Sequence, residues 1–117
     1  MNVVESFSVI QSNEENKYKY EYRMIKNDVV LSYGREKIVV QSYGIEAERQ
    51  DLINGNIVNI EREVIRSISP NRYKVHNLIK MLIEHVVSPI HIVDVVGEYV
   101  DEYVVDFDEA YKNISIS

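Results

Sequence analysis

The chain offers three histidines, His76, His85 and His91, followed by a run of acids, and this is where chemistry has to be sought first. His91, Asp94 and Glu98 recur at three- and four-residue spacing, which places them on one helical face with His85 just upstream. Imidazole and carboxylate ligands arranged so could hold Zn²⁺ or Mn²⁺. The same spacing also describes an ordinary solvated helix, and no metal is assigned. Other catalytic patterns are missing. The four glycines, Gly34, Gly44, Gly55 and Gly97, are isolated, so there is no phosphate-cradling loop. There is no Gly-x-Ser-x-Gly elbow and no His-Glu-x-x-His helix. Cysteine is absent, which excludes thiol catalysis, Cys-ligated metals and disulfides. No catalytic residue and no cofactor is expected, and an enzyme is the weakest of the functional classes.

A second chemistry lies around Ser69-Pro70-Asn71-Arg72-Tyr73-Lys74. Serine followed by proline reads as an N-cap and first helical position, where free N–H groups and the helix dipole favour negative charge. Arg62 and Arg66 precede it on a strand. Arg62, Arg66, Ser69, Asn71, Arg72 and Lys74 therefore form a candidate anion site, for a phosphate-bearing ligand, a nucleic-acid backbone or an acidic peptide. The competing reading is internal, with the acidic stretch Asp94 to Asp108 neutralising those bases. Charge is segregated in that sense: residues 1–16 carry −3, residues 17–80 carry +4 and residues 81–117 carry −7. The net charge of −6 makes nucleic acid an unlikely partner. A third candidate is the stripe Tyr18, Tyr20 and Tyr22, in a chain with nine tyrosines and no tryptophan. Tyrosine suits half-buried surfaces, so the stripe reads either as a dimer or partner interface or as a layer beneath helices.

The elements that must position these groups follow from periodicity. Val3 to Ile10 reads as a first strand. Tyr18, Tyr20, Tyr22 and Met24 alternate with charged residues, the period of a strand with one aromatic face. Asn27-Asp28 reads as a turn into Val29 to Tyr33, and Gly34-Arg35-Glu36 as another into Lys37 to Asp51. Asn54-Gly55 is the strongest turn signal, since both residues tolerate the positive φ of a type I′ hairpin. Taken literally, that turn sets Arg49 opposite Ile60, Ala47 opposite Arg62 and Ile45 opposite Val64. Glu46, Glu48 and Gln50 then face Glu63, Glu61 and Asn59, a carboxylate ladder able to bind a divalent cation. The alternatives are a water-facing side softened by Lys and Arg, or a register shifted by a bulge. Two helices follow, one from Ser69-Pro70 to about Val87 and one from Ser88-Pro89. The first has an apolar stripe of Val75, Leu78, Ile79, Leu82, Ile83 and Val86. In the second, Ile92, Val96, Tyr99 or Val100, Tyr103 and Phe107 make the buried stripe, flanked by Asp94, Glu98, Asp101, Glu102, Asp106 and Asp108. The tail Ile114 to Ser117 reads as frayed or as a last short strand.

Strands in series and then helices in series predict an α+β fold: an antiparallel meander of four to five strands followed by two C-terminal helices packed on one face. The 117 residues fit a single domain, and 45% apolar with 27% charged residues is ordinary for a soluble chain. No run is long enough to span a membrane and no signal peptide is evident, so a cytoplasmic protein is expected.

The stretches Gln41 to Asp51, Ile68 to His76, Val87 to His91 and on through Val100 to Val104 resemble a family of short uncharacterised proteins from spore-forming Firmicutes. The resemblance covers roughly residues 17–107. It implies a bacterial cytosolic protein with a regulatory role, and it carries no assigned chemistry. The leading expectation is a small non-enzymatic interaction or regulatory module, self-associating as a homodimer or binding a protein partner. The alternative is anion binding at the helix start near Ser69.

Overall fold

The computed structural model describes residues 2–116. Four strands, β1 (Asn2–Asn13), β2 (Asn16–Tyr33), β3 (Glu36–Ile53) and β4 (Asn56–Ser69), precede two helices, α1 (Arg72–His85) and α2 (Pro89–Ile116). The strands form one antiparallel sheet in the order β1-β2-β3-β4, the expected α+β meander. β2 and β3, of 18 residues each, set the 58 Å long axis of the molecule. At roughly 3.3 Å per residue, an 18-residue strand is about that long.

Several expectations need correction. Asn27-Asp28 is not a turn: β2 runs through it, and Asn27 instead donates from Nδ2 to the Arg66 carbonyl at 2.7 Å. Asn54-Gly55 does make the tight turn, with φ of 52° and 81°. The register beyond it slips by one, because Asp51 faces Asn59 while Leu52 faces Ile57. Val58 is the extra residue. The bulge sets Glu48 opposite Arg62 and Arg49 opposite Glu61, so the all-carboxylate ladder does not form. Ser69 ends β4 rather than capping α1, whose N-cap position is Asn71. α1 stops at His85 with Val86 in the left-handed conformation (φ 45°), its N–H returned to the last turn. The first part of the tail, Ile114 to Ile116, continues α2 as helix rather than fraying or forming a strand, and Ser117 lies outside the described residues.

The core sits between the tyrosine face of the sheet and the helices. Tyr20, Tyr22, Met24, Ile45 and Ala47 meet Val75, Leu78, Ile79 and Leu82 of α1 and Ile92 and Val96 of α2. Tyr22 donates its hydroxyl to the Val87 carbonyl at 2.7 Å, pinning the link between the helices. The buried parity of β2 changes at Met24 and Ile25, which are adjacent and both fully buried. In β3 it changes at Gly44 and Ile45. β4 causes the switch. It bulges between Ile65 and Ser69 and crosses closely over Gly44, where a Cβ would lie 2.5 Å from the Arg66 carbonyl carbon and closer still to the oxygens of Ile65 and Arg66. Beyond the crossing, the ribbon of β2 and β3 buries its opposite parity. Val40 and Ser42 are buried there, Ser42 Oγ lies 2.6 Å from Ser67 Oγ, and Tyr33 meets Tyr111 and Asp108 of α2. At about 1.5 Å per residue, the 28 residues of α2 reach from the core out along this arm.

Candidate functional site

The predicted anion cluster is divided among internal partners. Arg62 donates from Nε to Glu48 Oε1 at 3.1 Å. Arg72 donates from Nε to Glu5 Oε2 at 3.1 Å, and His76 Nδ1 lies 2.7 Å from Glu5 Oε1. Lys74 Nζ reaches both oxygens of Asp106, at 2.8 and 2.9 Å, and sits 4.8 Å from the centre of the Tyr103 ring. Ser69 Oγ donates to Asp106 at 2.8 Å and accepts from the Asn71 N–H at 3.0 Å. Arg66 is exposed and contributes its carbonyl to Asn27.

These contacts have one electrostatic logic. The first turn of α1 carries no acid, and bases near a helix start oppose the dipole. Glu5 from β1 and Asp106 from α2 bring in the missing negative charge, and neither figured among the candidate site residues. Burial alone would raise the carboxyl of each, but hydrogen bonds and charge from His76 and Arg72 hold Glu5 below the usual range. Lys74 and Ser69 do the same for Asp106. Asp106, expected on the acidic flank, is only 4% exposed. A sequence signal did exist, since it follows Ile92, Val96, Tyr99 and Tyr103 in phase, while the favoured Phe107 is half-buried. A depression of ≈ 520 Å³ beside α1 is lined by Glu5, Pro70, Asn71, Arg72, Tyr73 and His76. Its two strongest cation candidates already face a carboxylate.

The uncovered face of the sheet carries a second network. Glu48, 4% exposed, accepts from Arg62 and from Arg23, the latter at 3.1 Å, while Arg23 also donates to Glu46 at 2.6 Å and to Glu21. Chiefly through the Arg62 hydrogen bond, these partners hold the Glu48 carboxyl low against its burial. The arginines occupy the carboxylates that a cation would need. Among the described residues no group of three or more His, Asp or Glu is arranged to hold a metal ion. His85, His91, Asp94 and Glu98 are all exposed.

Of the tyrosine stripe, Tyr22 is fully buried and Tyr20 is 5% exposed, with rings stacked 6.4 Å apart, and Tyr18 is half-buried under Arg49. They lie beneath the helices. Exposed aliphatics occur on the strands, among them Val30, Val39, Ile57, Val58 and Ile60, and on the side of α2 turned away from the core, where Ile90, Val93 and Val104 are 63%, 52% and 54% exposed.

Residues 1–102 match a family model described as a family of unknown function, DUF6514. The chain belongs to that family. The DUF6514 match takes in all four strands, α1 and the first half of α2, and so includes β1, which the resemblance seen in the sequence left out. Asp106 and the contacts of α2 with the ribbon arm lie beyond it. No curated protein and no solved structure matches the chain significantly. Among the described residues no helix is long and apolar enough to cross a membrane.

Proposed function

We propose that this DUF6514 chain is a non-enzymatic interaction module that docks a protein partner through the outward side of α2. One observation carries the reading. A 28-residue helix whose inner side is already packed leaves Ile90, Val93 and Val104 exposed on its outward side, with half-buried Gly97 between them. Exposed aliphatics grouped on one side of a helix are costly to leave in water and mark contact surfaces. The tyrosine stripe offers no comparable surface, because two of its three rings are in the core. Anion binding at the start of α1 would require a ligand to displace Glu5 or Asp106, both of which are hydrogen-bonded to the bases concerned. The family resemblance supports placing the module in a bacterial cytoplasm, in a regulatory role.

The test compares the wild-type chain with a Val93→Glu/Val104→Glu variant as baits for proximity labelling in the source cell. Both positions are more than half exposed, so the variant is expected to keep its circular dichroism and melting temperature. It is expected to lose the partners that the wild type labels. An unchanged set of labelled proteins from a folded variant would remove α2 as the contact surface.

A further inference from the structure

The outward stripe has a charged border that identifies the kind of partner it fits. Ile90, Val93, Gly97 and Val104 fall at positions of the three-and-four spacing of a helix–helix seam, while Val100 and Phe107, which share that spacing, are half-buried, Val100 against the core. The residues immediately beside that seam on the solvent side are Asp94, Asp101 and Asp108, one per heptad. Asp94 and Asp101 are exposed and make no ion pair among the described residues, whereas Asp108 accepts from Tyr33. At Gly97 a side chain would meet nothing within 4 Å, so a partner's side chain or backbone can come close at the centre of the seam.

Resting on the interaction reading above, we infer that the docked element is a basic amphipathic helix of another protein. Its apolar side lies along Ile90, Val93, Gly97 and Val104, and its Lys or Arg side chains lie against Asp94 and Asp101. Charge separates this occupant from a second copy of the chain. α2 carries seven acids and, besides Lys112, no lysine or arginine. Two such helices side by side would face each other within a Debye length of about 8–10 Å, where like charges repel. A basic helix converts the same row into flanking ion pairs that set orientation and speed encounter.

The experiment uses the full chain labelled with ¹⁵N and two designed three-heptad peptides with leucine seams, one flanked by lysine and one by glutamate. The lysine peptide is expected to bind, with amide shifts centred on Ile90, Val93, Gly97 and Val104. Affinity should fall roughly tenfold in Val93→Glu/Val104→Glu, as the loss of about 1.4 kcal/mol of contact energy implies. It should also weaken in Asp94→Asn/Asp101→Asn and with added salt, and remain unchanged in the remote control Glu14→Gln/Glu15→Gln. The inference is overturned if the lysine peptide fails to bind, if its shifts fall elsewhere, or if the glutamate peptide binds equally well. A dimer seen by sedimentation and lost in Val93→Glu/Val104→Glu would likewise overturn it in favour of a second copy. Failure of the peptide, with proximity labelling still dependent on Val93 and Val104, would remove this partner chemistry and leave the interaction reading intact.

Discussion

Gly44→Ala is expected to be the most damaging single-methyl change in this chain. The added Cβ would lie 2.5 Å from the Arg66 carbonyl carbon and nearer to two carbonyl oxygens, whereas real Cβ atoms essentially never come within 3.0 Å. All three atoms are backbone, so no side chain can swing aside. β4 would have to retreat, straining the Asn27 bond to Arg66 and the Ser42–Ser67 hydroxyl pair and loosening the cover over the fully buried Ile25. Two hydrogen bonds at about 1 kcal/mol each and an overpacking cost of about 1–3 kcal/mol give a loss of roughly 3–5 kcal/mol. A domain of this kind has only about 5–15 kcal/mol of stability in all. Urea unfolding followed by circular dichroism and tyrosine fluorescence measures the loss directly, alongside Gly97→Ala as a control. At Gly97 the new methyl meets nothing within 4 Å in a helix, so alanine should stabilise by about 0.5–1 kcal/mol. A Gly44→Ala loss below about 1 kcal/mol would show that β4 does not cross β3 tightly, and would refute the account of the parity switch.

Other outcomes follow from the same contacts. Tyr22→Phe leaves the Val87 carbonyl without its donor and should cost about 1 kcal/mol in urea unfolding, with faster amide exchange around Val86 to Ser88. Ser69→Ala removes a buried donor to Asp106 and should cost about 1–2 kcal/mol, measured in the same way. The carboxyls of Glu5, Glu48 and Asp106 lie below their ordinary values of 4.5, 4.5 and 3.8 in the folded chain. The unfolded chain therefore takes up protons first as pH falls. The stability these groups contribute is present in full above about pH 5 and is lost as the pH drops through 4.5 and onward through their lowered folded values. Thermal melts from pH 7 to pH 3 should show that decline, and Asp106→Asn should flatten its lower part; a variant with the wild-type slope would show that Asp106 is not so held.

Much of the fold is legible because local signals agree with the global pattern. Asn54-Gly55 and Gly34-Arg35 mark two of the hairpin turns, Ser88-Pro89 marks the start of α2, and the tyrosine alternation marks the covered face. What failed did so for tertiary reasons. Asn27-Asp28 has turn chemistry, but Asn27 satisfies its amide on β4, across β3, a partner no local rule can see. The slipped register at Val58 replaces an unfavourable Glu48–Glu61 facing with Glu48 against Arg62. The like-charge ladder was thus itself the hint that a bulge was required. Ser69-Pro70 does not cap α1 because Ser69 still pairs with Tyr43 as the last residue of β4, and the helix begins only at Arg72.

The distribution of charge connects these corrections to the proposed surface. Half of the twelve bases in residues 17–80 are engaged by acids of the chain. Arg23, Arg49 and Arg62 pair with acids of the sheet, Arg72 pairs with Glu5, and Lys74 pairs with Asp106. The acidic C-terminal third is therefore balanced only in part by the rest of the chain. Asp106 enters the fold and Asp108 holds Tyr33, while Asp94, Glu98, Asp101 and Glu102 remain exposed and form no ion pair among the described residues. The excess negative charge thus lies on the solvent side of α2, next to the aliphatics that the core leaves uncovered. An apolar stripe alone would fit a second copy as well as any partner. The aspartates beside it make the surface selective, by adding repulsion against its own kind and attraction toward a basic helix.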